Sequence, residues 1–503
     1  MRRTLLSLLA TLVVAAGCSS AGRLRNGELP ATDASAPGPL VSAGPSTAPP
    51  IPPLDWQPCG PFECATLQVP LDAADLGGRQ IGIALNRRRA TEPDRRIGSL
   101  LVNPGGPGAS GVDGLPGLLA RLSEKVKARF DVIGFDPRGV GRSAPVRCLP
   151  SAELDAYFAI DPTPDDPAEK AALLRSTEHL VAGCQQRSGD LLAHVGTVDA
   201  ARDLDRIRIA VGDEKLTYVG FSYGTALGTT YAEQFPDRVR ALVLDGAIDP
   251  SLDGPSLNRV QGEGFDRAFD AFVADCRRRP TCAWRPKGGA TKAAFLALTA
   301  QLDARPIAAG SRRVGSSELQ LGAAAFLYSR DTWTPLARGL AQLEAGSGTI
   351  VLGGFDALTG RKPDGSFSND QEANAAINCL DRPAPRDPAT YERAAADAVR
   401  TAPAFGPALA WSGLVCGLWP VPSTGTAAPA NAPGTPPILV VGTTNDPATP
   451  FVWSEALARQ LPQGRLLRHE GEGHTAYGLD PCTSTIGDAY LLTLELPPGE
   501  LTC

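Results

Sequence analysis

Histidine is scarce in this chain of 503 residues. Its four histidines are His179, His194, His469 and His474. So few imidazoles exclude a histidine-rich metal centre, and any catalytic histidine must be one of these four. The cysteines also lack the closely spaced pairs that are typical of zinc sites. We therefore expect neither a metal nor another cofactor.

An excess of charge of either sign is also absent, since 48 Lys and Arg stand against 54 Asp and Glu without a basic block. This balance excludes a nucleic-acid partner. After the amino-terminal segment, no stretch has about 18 uninterrupted apolar residues, so we expect no membrane-spanning helix in the mature chain. A hydrophobic content of 43% is ample for a large core and excludes global disorder.

The amino terminus has the pattern of an export signal. Two arginines precede the apolar run Leu5–Ala16, which is too short to span a bilayer. The run ends in small residues followed by Cys18, an arrangement that resembles a bacterial lipobox. We predict a signal peptide over 1–17, a lipid on Cys18 and a Pro/Ala/Ser-rich tether over 18–54, with ordinary secretory cleavage as the alternative.

Ten of the 11 cysteines remain once Cys18 is set aside. An even number in an exported chain argues for disulfides, although connectivity does not follow from sequence. Pairing neighbours along the chain gives Cys59–Cys64, Cys148–Cys184, Cys276–Cys282, Cys379–Cys416 and Cys482–Cys503.

Short apolar runs alternate with helical segments along most of the chain, which predicts an α/β fold with a mostly parallel sheet covered on both faces. The predicted strands are residues 81–85, 99–102, 130–135, 216–219, 239–244, 437–441 and 465–469. The predicted core helices are residues 198–211, 225–235 and 452–460. We assign residues 55–250 and 406–503 to this core, and the mainly helical stretch 251–405 to an inserted cap.

Ser222 lies at the centre of a Gly-x-Ser-x-Gly motif, residues 220–224. A predicted strand precedes the motif and a predicted helix follows it, which is the context of a nucleophile elbow. Because a serine hydroxyl is a weak nucleophile, it needs a base. We therefore predict that Ser222 is the nucleophile of a hydrolase.

The chain order for this fold is serine, acid, histidine. Of the two histidines after Ser222, His474 lies in a loop just past a predicted strand, whereas His469 lies inside that strand. We predict His474 as the base. Asp446, which follows the strand at 437–441, is the predicted acid, and Asp245 is its rival.

The oxyanion that develops during acyl transfer needs two N–H donors. The residue after the nucleophile, Tyr223, should supply one. The glycine-rich loop 103–108 after an early strand should supply the other, from Gly106 or Gly105.

Together these residues resemble the secreted actinobacterial tripeptidyl aminopeptidases, α/β-hydrolases of the serine peptidase group that includes proline iminopeptidase. The matching stretches are residues 64–72, 103–108, 135–139, 220–224, 244–246, 376–379 and 473–474. Proline iminopeptidases have a histidine before the glycines of the oxyanion loop. Here Asn103-Pro104 precedes them, which favours the tripeptidyl branch.

The resemblance implies a cell-envelope lipoprotein or secreted enzyme that removes short peptides or single residues from a free amino terminus. Its partners would be peptide substrates and, through the lipid, the outer face of the membrane. A carboxylate would bind the substrate ammonium, and Asp381 and Glu263 are candidates. There are two alternatives. One is an esterase or lactonase with the same triad, and the other is a non-catalytic binding lipoprotein.

Overall fold

A ten-stranded sheet forms the centre of the molecule, and most of its strands come from the short apolar runs of the sequence. The computed structural model describes residues 51–503, so the predicted signal peptide, Cys18 and most of the tether lie outside the described residues. In chain order the strands are β1 (Gln57–Cys59), β2 (Phe62–Pro70), β3 (Gln80–Arg88), β4 (Gly98–Asn103), β5 (Phe130–Phe135), β6 (Leu216–Phe221), β7 (Val239–Asp245), β8 (Ile307–Ala309), β9 (Arg312–Val314), β10 (Ile438–Asn445), β11 (Gly464–Glu472) and β12 (Leu501–Thr502).

The strand order is β1-β2-β3-β5-β4-β6-β7-β10-β11-β12, with β8 and β9 forming a separate hairpin. Neighbours from β5 to β12 are parallel, and β1 to β3 add an antiparallel edge. Strands β4, β5 and β6 are buried at every position, which explains their continuous apolar runs. The predicted α/β fold class is confirmed, and all seven predicted strands are present.

Helices cover both faces of this sheet and fill the segment between β7 and β10. They are α1 (Gly111–Arg121), α2 (Glu124–Arg129), α3 (Ser151–Phe158), α4 (Pro167–Ser188), α5 (Thr197–Ala210), α6 (Tyr223–Gln234), α7 (Gly254–Arg278), α8 (Lys292–Ala304), α9 (Ser316–Leu327), α10 (Trp333–Glu344), α11 (Thr349–Thr359), α12 (Asp370–Asp381), α13 (Pro388–Thr401), α14 (Gly406–Ser412), α15 (Leu414–Gly417), α16 (Phe451–Gln460) and α17 (Pro481–Thr493). No helix among residues 51–503 combines the length and the apolar composition that crossing a bilayer requires.

Alternate residues of each central strand enter different apolar clusters. Leu101 of β4 packs with residues of α4, α5, α6 and α16 on one face. Leu100 and Val102 pack with residues of α1, α2 and α17 on the other. This alternation is the period-2 geometry of a strand buried between two helical layers.

The insertion between β7 and β10 has an apolar cluster of its own, built around Phe269, Phe272 and Trp284. Helix α12 is different, because its buried residues Ala376, Ile377 and Leu380 join a cluster of the central sheet instead. The helical elements also continue past residue 405, where Gly406 of α14 packs against α7. The insertion is therefore mainly helical, as predicted, but one of its helices belongs to the core by packing.

All five disulfides predicted by proximity are present. Cys59–Cys64 closes the β1–β2 hairpin, and Cys379–Cys416 ties α12 to α15. The paired cysteines lie 5 to 37 residues apart, and no bridge encloses a cysteine of another bridge, so pairing neighbours along the chain gave the correct partners.

Candidate active site

Ser222 lies in the turn between β6 and α6 and has a strained backbone, with φ 54° and ψ −122°. Its N–H donates to the carbonyl of Asp245 at 2.9 Å. A Cβ on Gly220 would lie 2.3 Å from the carbonyl oxygen of Gly224, so the turn cannot close without glycine there. The local geometry is that of a nucleophile elbow, where backbone strain presents the hydroxyl above the sheet.

Asp446 and His474 are in direct contact. Nδ1 of His474 lies 3.0 Å from Oδ1 and 2.9 Å from Oδ2 of Asp446, whose exposed fraction is only 2%. The N–H groups of Ala448 and Thr449 donate to Oδ1 of the same carboxylate at 2.9 and 2.8 Å. The Thr449 hydroxyl donates to Oδ2 at 3.0 Å. These donors hold the carboxylate in place and leave Nε2 of the imidazole free for another partner.

Ser222 and His474 both lie beside the end of β7. Asp245, the last residue of β7, accepts the Ser222 N–H, and a Cβ on the next residue, Gly246, would lie 3.0 Å from Cε1 of His474. Within the described part of the chain, the Ser222 hydroxyl is not hydrogen-bonded to the imidazole. In unliganded hydrolases this bond is often long and shortens when substrate binds.

The glycine-rich loop after β4 packs directly on the nucleophile turn. A Cβ on Gly105 would lie 2.8 Å from Cβ of Ser222 and 3.2 Å from N of Tyr223. The N–H of Gly105 donates to Oδ1 of Asn103 at 2.9 Å, so this N–H is already engaged. Gly106 follows with φ +108°, a conformation that favours glycine. The structure thus brings the loop and Tyr223 together, as expected of an oxyanion hole.

Tyr328, which follows α9 in the cap, contacts His474. Its carbonyl accepts the His474 N–H at 2.8 Å, and its ring lies edge-on to the imidazole with centroids 5.3 Å apart. Burial raises the pKa of the Tyr328 hydroxyl to about 12, so the phenol is neutral at ordinary pH. Tyr328 was not among the residues predicted from the sequence, because no local pattern links it to His474.

The two acids considered for the substrate ammonium both have partners inside the chain. Asp381, at the end of α12, accepts from the N–H of Thr197 at 2.7 Å and from the Thr197 hydroxyl. Burial raises the pKa of its carboxyl. Glu263 on α7 pairs with Arg259 at 2.8 Å and keeps 25% of its side chain exposed.

The rivals of the predicted acid and base occupy different positions. Asp245 uses its carboxylate to accept the N–H groups of Ala476 and Tyr477, at 2.9 and 2.8 Å. His469 lies within β11, where Nδ1 is 4.0 Å from Asp480. The imidazole–carboxylate contact at the strand ends therefore belongs to His474 and Asp446.

Comparison with known proteins agrees with this geometry. The family model of the α/β hydrolase fold matches residues 98–481. The serine protease Hip1 of Mycobacterium tuberculosis is 37% identical over 483 residues, covering 90% of this chain and 91% of that protein. Carboxylesterase B of the same species is 39% identical over 475 residues, with 90% of both chains covered. The tripeptidyl aminopeptidase of Streptomyces lividans is 32% identical over 481 residues, covering 90% of this chain and 86% of that protein.

The chain belongs to the α/β-hydrolase fold family. Within that family it is a serine peptidase, since its peptidase relatives match over nearly the whole folded region.

Proposed function

We propose that this serine peptidase is an exported aminopeptidase whose catalytic triad is Ser222, His474 and Asp446. Ser222 attacks the scissile carbonyl while Nε2 of His474 takes the hydroxyl proton and passes it to the leaving amine. Water, deprotonated by the same imidazole, then hydrolyses the acyl-enzyme. Asp446 holds the imidazole tautomer and stabilises the imidazolium. The observation that carries the proposal is the contact of both Asp446 oxygens with Nδ1, at the sheet edge where β6 presents Ser222.

The oxyanion hole in this proposal consists of the N–H groups of Tyr223 and Gly106. Tyr223 is the first residue of α6, so its N–H has no acceptor in the preceding turn of helix. Gly106 is preferred over Gly105 because the Gly105 N–H is engaged by Asn103. Removing one such donor in other hydrolases slows turnover by about 10²–10³.

Binding of a free amino terminus requires a carboxylate within the cap or at its border. Glu263 fits this role better than Asp381, because its partner Arg259 is largely exposed and can exchange with a substrate ammonium. Asp381 has both oxygens occupied by Thr197. Helix α7 also borders the acid loop, since Gln261 donates to the carbonyl of Ala448 at 2.6 Å.

Export is supported by the leader-like amino terminus and by five disulfides, which persist in oxidising compartments. A lipid on Cys18 would anchor the enzyme to the outer face of the membrane through the tether. Metabolic labelling with a lipid precursor, compared between the wild type and Cys18→Ala, tests this part separately.

The activity is tested with chromogenic amides of one, two and three residues, each free and N-acetylated. We expect the wild type to hydrolyse free tripeptidyl amides and to lose activity when the amino terminus is blocked. Ser222→Ala should be inactive on every substrate. Equal turnover of free and acetylated substrates contradicts the aminopeptidase assignment, and activity in Ser222→Ala contradicts the triad.

An esterase with the same triad is the second candidate, because a relative of 39% identity is named Carboxylesterase B. Ester and amide hydrolysis share the acyl-enzyme route, so the triad alone does not separate them. Turnover of short acyl esters without detectable turnover of any free peptide amide would favour an esterase.

A further inference from the structure

Asp245 is fully buried, with an exposed fraction of 0%, and it contacts Ser222 and the residues that follow His474. Its main-chain carbonyl accepts the Ser222 N–H at 2.9 Å. Its side-chain Oδ2 accepts the N–H groups of Ala476 and Tyr477, at 2.9 and 2.8 Å. These two residues lie just after His474, so a single residue joins the nucleophile turn to the histidine loop.

Arg121, at the end of α1, holds the same loop from its other side. Its Nε donates to the carbonyl of Tyr477 at 3.1 Å, and Nη2 donates to the Thr475 hydroxyl at 3.1 Å. Nη2 also lies 3.8 Å from Oδ2 of Asp245, and the guanidinium stacks on the Phe221 ring at 4.1 Å. The segment after His474 is thus bound through its N–H groups by Asp245 and through a carbonyl by Arg121.

The loop needs this support because its backbone is strained. Thr475 has φ 68°, in the left-handed region that a β-branched residue rarely adopts. Such strained conformations persist only where contacts with the surrounding structure hold the backbone in place. Asp446 itself holds the Thr475 N–H only weakly, at 3.4 Å, so Asp245 and Arg121 supply the main restraint just after the histidine.

Burial of Asp245 is unfavourable in itself. Oδ1 has no hydrogen-bond partner in the described part of the chain. Desolvation raises the pKa of the carboxyl against the opposing effect of Arg121 and the two N–H groups. A carboxylate that costs free energy to bury, and whose hydrogen bonds all go to the main chain just after His474, points to a role in the geometry of that loop.

We propose that Asp245, together with Arg121, is a positioning residue that sets the distance between the Ser222 hydroxyl and the His474 imidazole. This inference rests on the proposed triad. Asp446 contacts the imidazole directly, whereas the Asp245 side chain holds the main chain just after His474, and its main-chain carbonyl holds the Ser222 N–H. Loss of Asp245 should therefore lower kcat and leave KM nearly unchanged.

Asp266 provides a matched control. It is a buried aspartate of the cap that accepts the consecutive N–H groups of Ala404 and Phe405, at 2.9 and 3.0 Å, and pairs with Lys292 at 2.6 Å. Its hydrogen bonding therefore mirrors that of Asp245, but it contacts neither Ser222 nor the histidine loop.

The test compares Asp245→Asn, Asp245→Ala, Asp266→Asn and Asp266→Ala by steady-state hydrolysis of the best chromogenic substrate, below the thermal transition of each variant. We expect kcat of Asp245→Ala to fall about 10²-fold, because a misplacement near 1 Å costs that much. Asp245→Asn keeps an acceptor oxygen and should fall less. Both Asp266 variants should keep kcat within about threefold while losing thermal stability.

A second comparison separates positioning from a general structural effect. In a His474→Ala background, residual hydrolysis of p-nitrophenyl acetate no longer depends on the histidine loop, so adding Asp245→Ala should change it by less than about threefold. An equal loss in both backgrounds overturns the inference, as does an unchanged kcat in Asp245→Ala. If His474→Ala itself keeps full activity, the proposed triad fails instead.

Discussion

Substitution of Gly246 tests directly where the imidazole of His474 lies. It follows β7 with φ +69°, and a Cβ there would lie 2.9 Å from Oγ1 of Thr449 and 3.0 Å from Cε1 of His474. Non-bonded carbon atoms prefer about 3.5–4.0 Å, so the methyl of Gly246→Ala has to push the imidazole by about 0.5–1 Å. Because misplacement of a catalytic group by about 1 Å costs on the order of 10²-fold, we expect kcat/KM to fall by about 10- to 100-fold.

Gly310→Ala is the matched control for the free-energy cost of placing an alanine at a positive φ. Gly310 lies in the turn between β8 and β9 with φ +66°, and a Cβ there would meet nothing within 4 Å. Both variants bear the left-handed cost of about 1–2 kcal/mol, which Gly310→Ala should show in thermal denaturation and which Gly246→Ala should exceed because of its close contacts. Only Gly246→Ala adds the collision with His474.

Two assays read out the difference between these variants. Steady-state hydrolysis gives kcat/KM. The rate of fluorophosphonate labelling reports activation of the Ser222 hydroxyl and does not depend on binding of a substrate ammonium. We expect both rates to fall in Gly246→Ala and to stay near the wild-type values in Gly310→Ala. Equal rates in the two variants would refute the placement of a working imidazole beside residue 246.

Three further predictions concern the acid, a buried carboxyl and a disulfide. Asp446→Asn removes the acceptor that selects the imidazole tautomer, so kcat should fall by about 10⁴ with an unchanged thermal transition; a loss below tenfold would contradict its role. Glu372 accepts the N–H groups of the consecutive residues Cys148 and Leu149. Burial raises the pKa of its carboxyl above the usual 4.5. The wild type should therefore lose stability relative to Glu372→Gln as pH rises from about 4.5 through the raised pKa, and denaturation midpoints at both ends of that range test the sign. Replacing Cys379 and Cys416 by serine opens a loop of 37 residues and should cost about 4 kcal/mol in thermal denaturation under non-reducing conditions.

Most of the parallel strands were predictable because they contain a short apolar run, and the two-residue strand β12 was not. β6, for example, is followed at once by the Gly-x-Ser-x-Gly motif and by α6. Strand β2, which lies between β1 and β3, was not predicted, although its residues 65–69 alternate between buried and exposed as in a half-buried strand. Helix α4 was missed as well, since its buried positions are few and include Thr177 and Gly183.

Ser222, His474 and Asp446 were accessible from a motif, from chain order and from the scarcity of histidine. The choice between Gly105 and Gly106 was not, because it depends on a side-chain acceptor, Asn103, that folds back on its own loop. Contacts between distant segments carry no local signal.

The position of the insertion explains why the site depends on such contacts. β7 and β10 are neighbours in the sheet, with Val441 paired to Asp245, although the whole cap separates them along the chain. The chain leaves the sheet beside Ser222 and returns to place Asp446 at the next strand end, so sheet register fixes the distance between Asp446 and Ser222. The base is different, because its loop follows β11 and takes one restraint from the cap through the Tyr328 carbonyl. A change in the cap that moves Tyr328 therefore acts on His474 as well as on substrate binding, whereas Ser222 and Asp446 stay tied to the sheet.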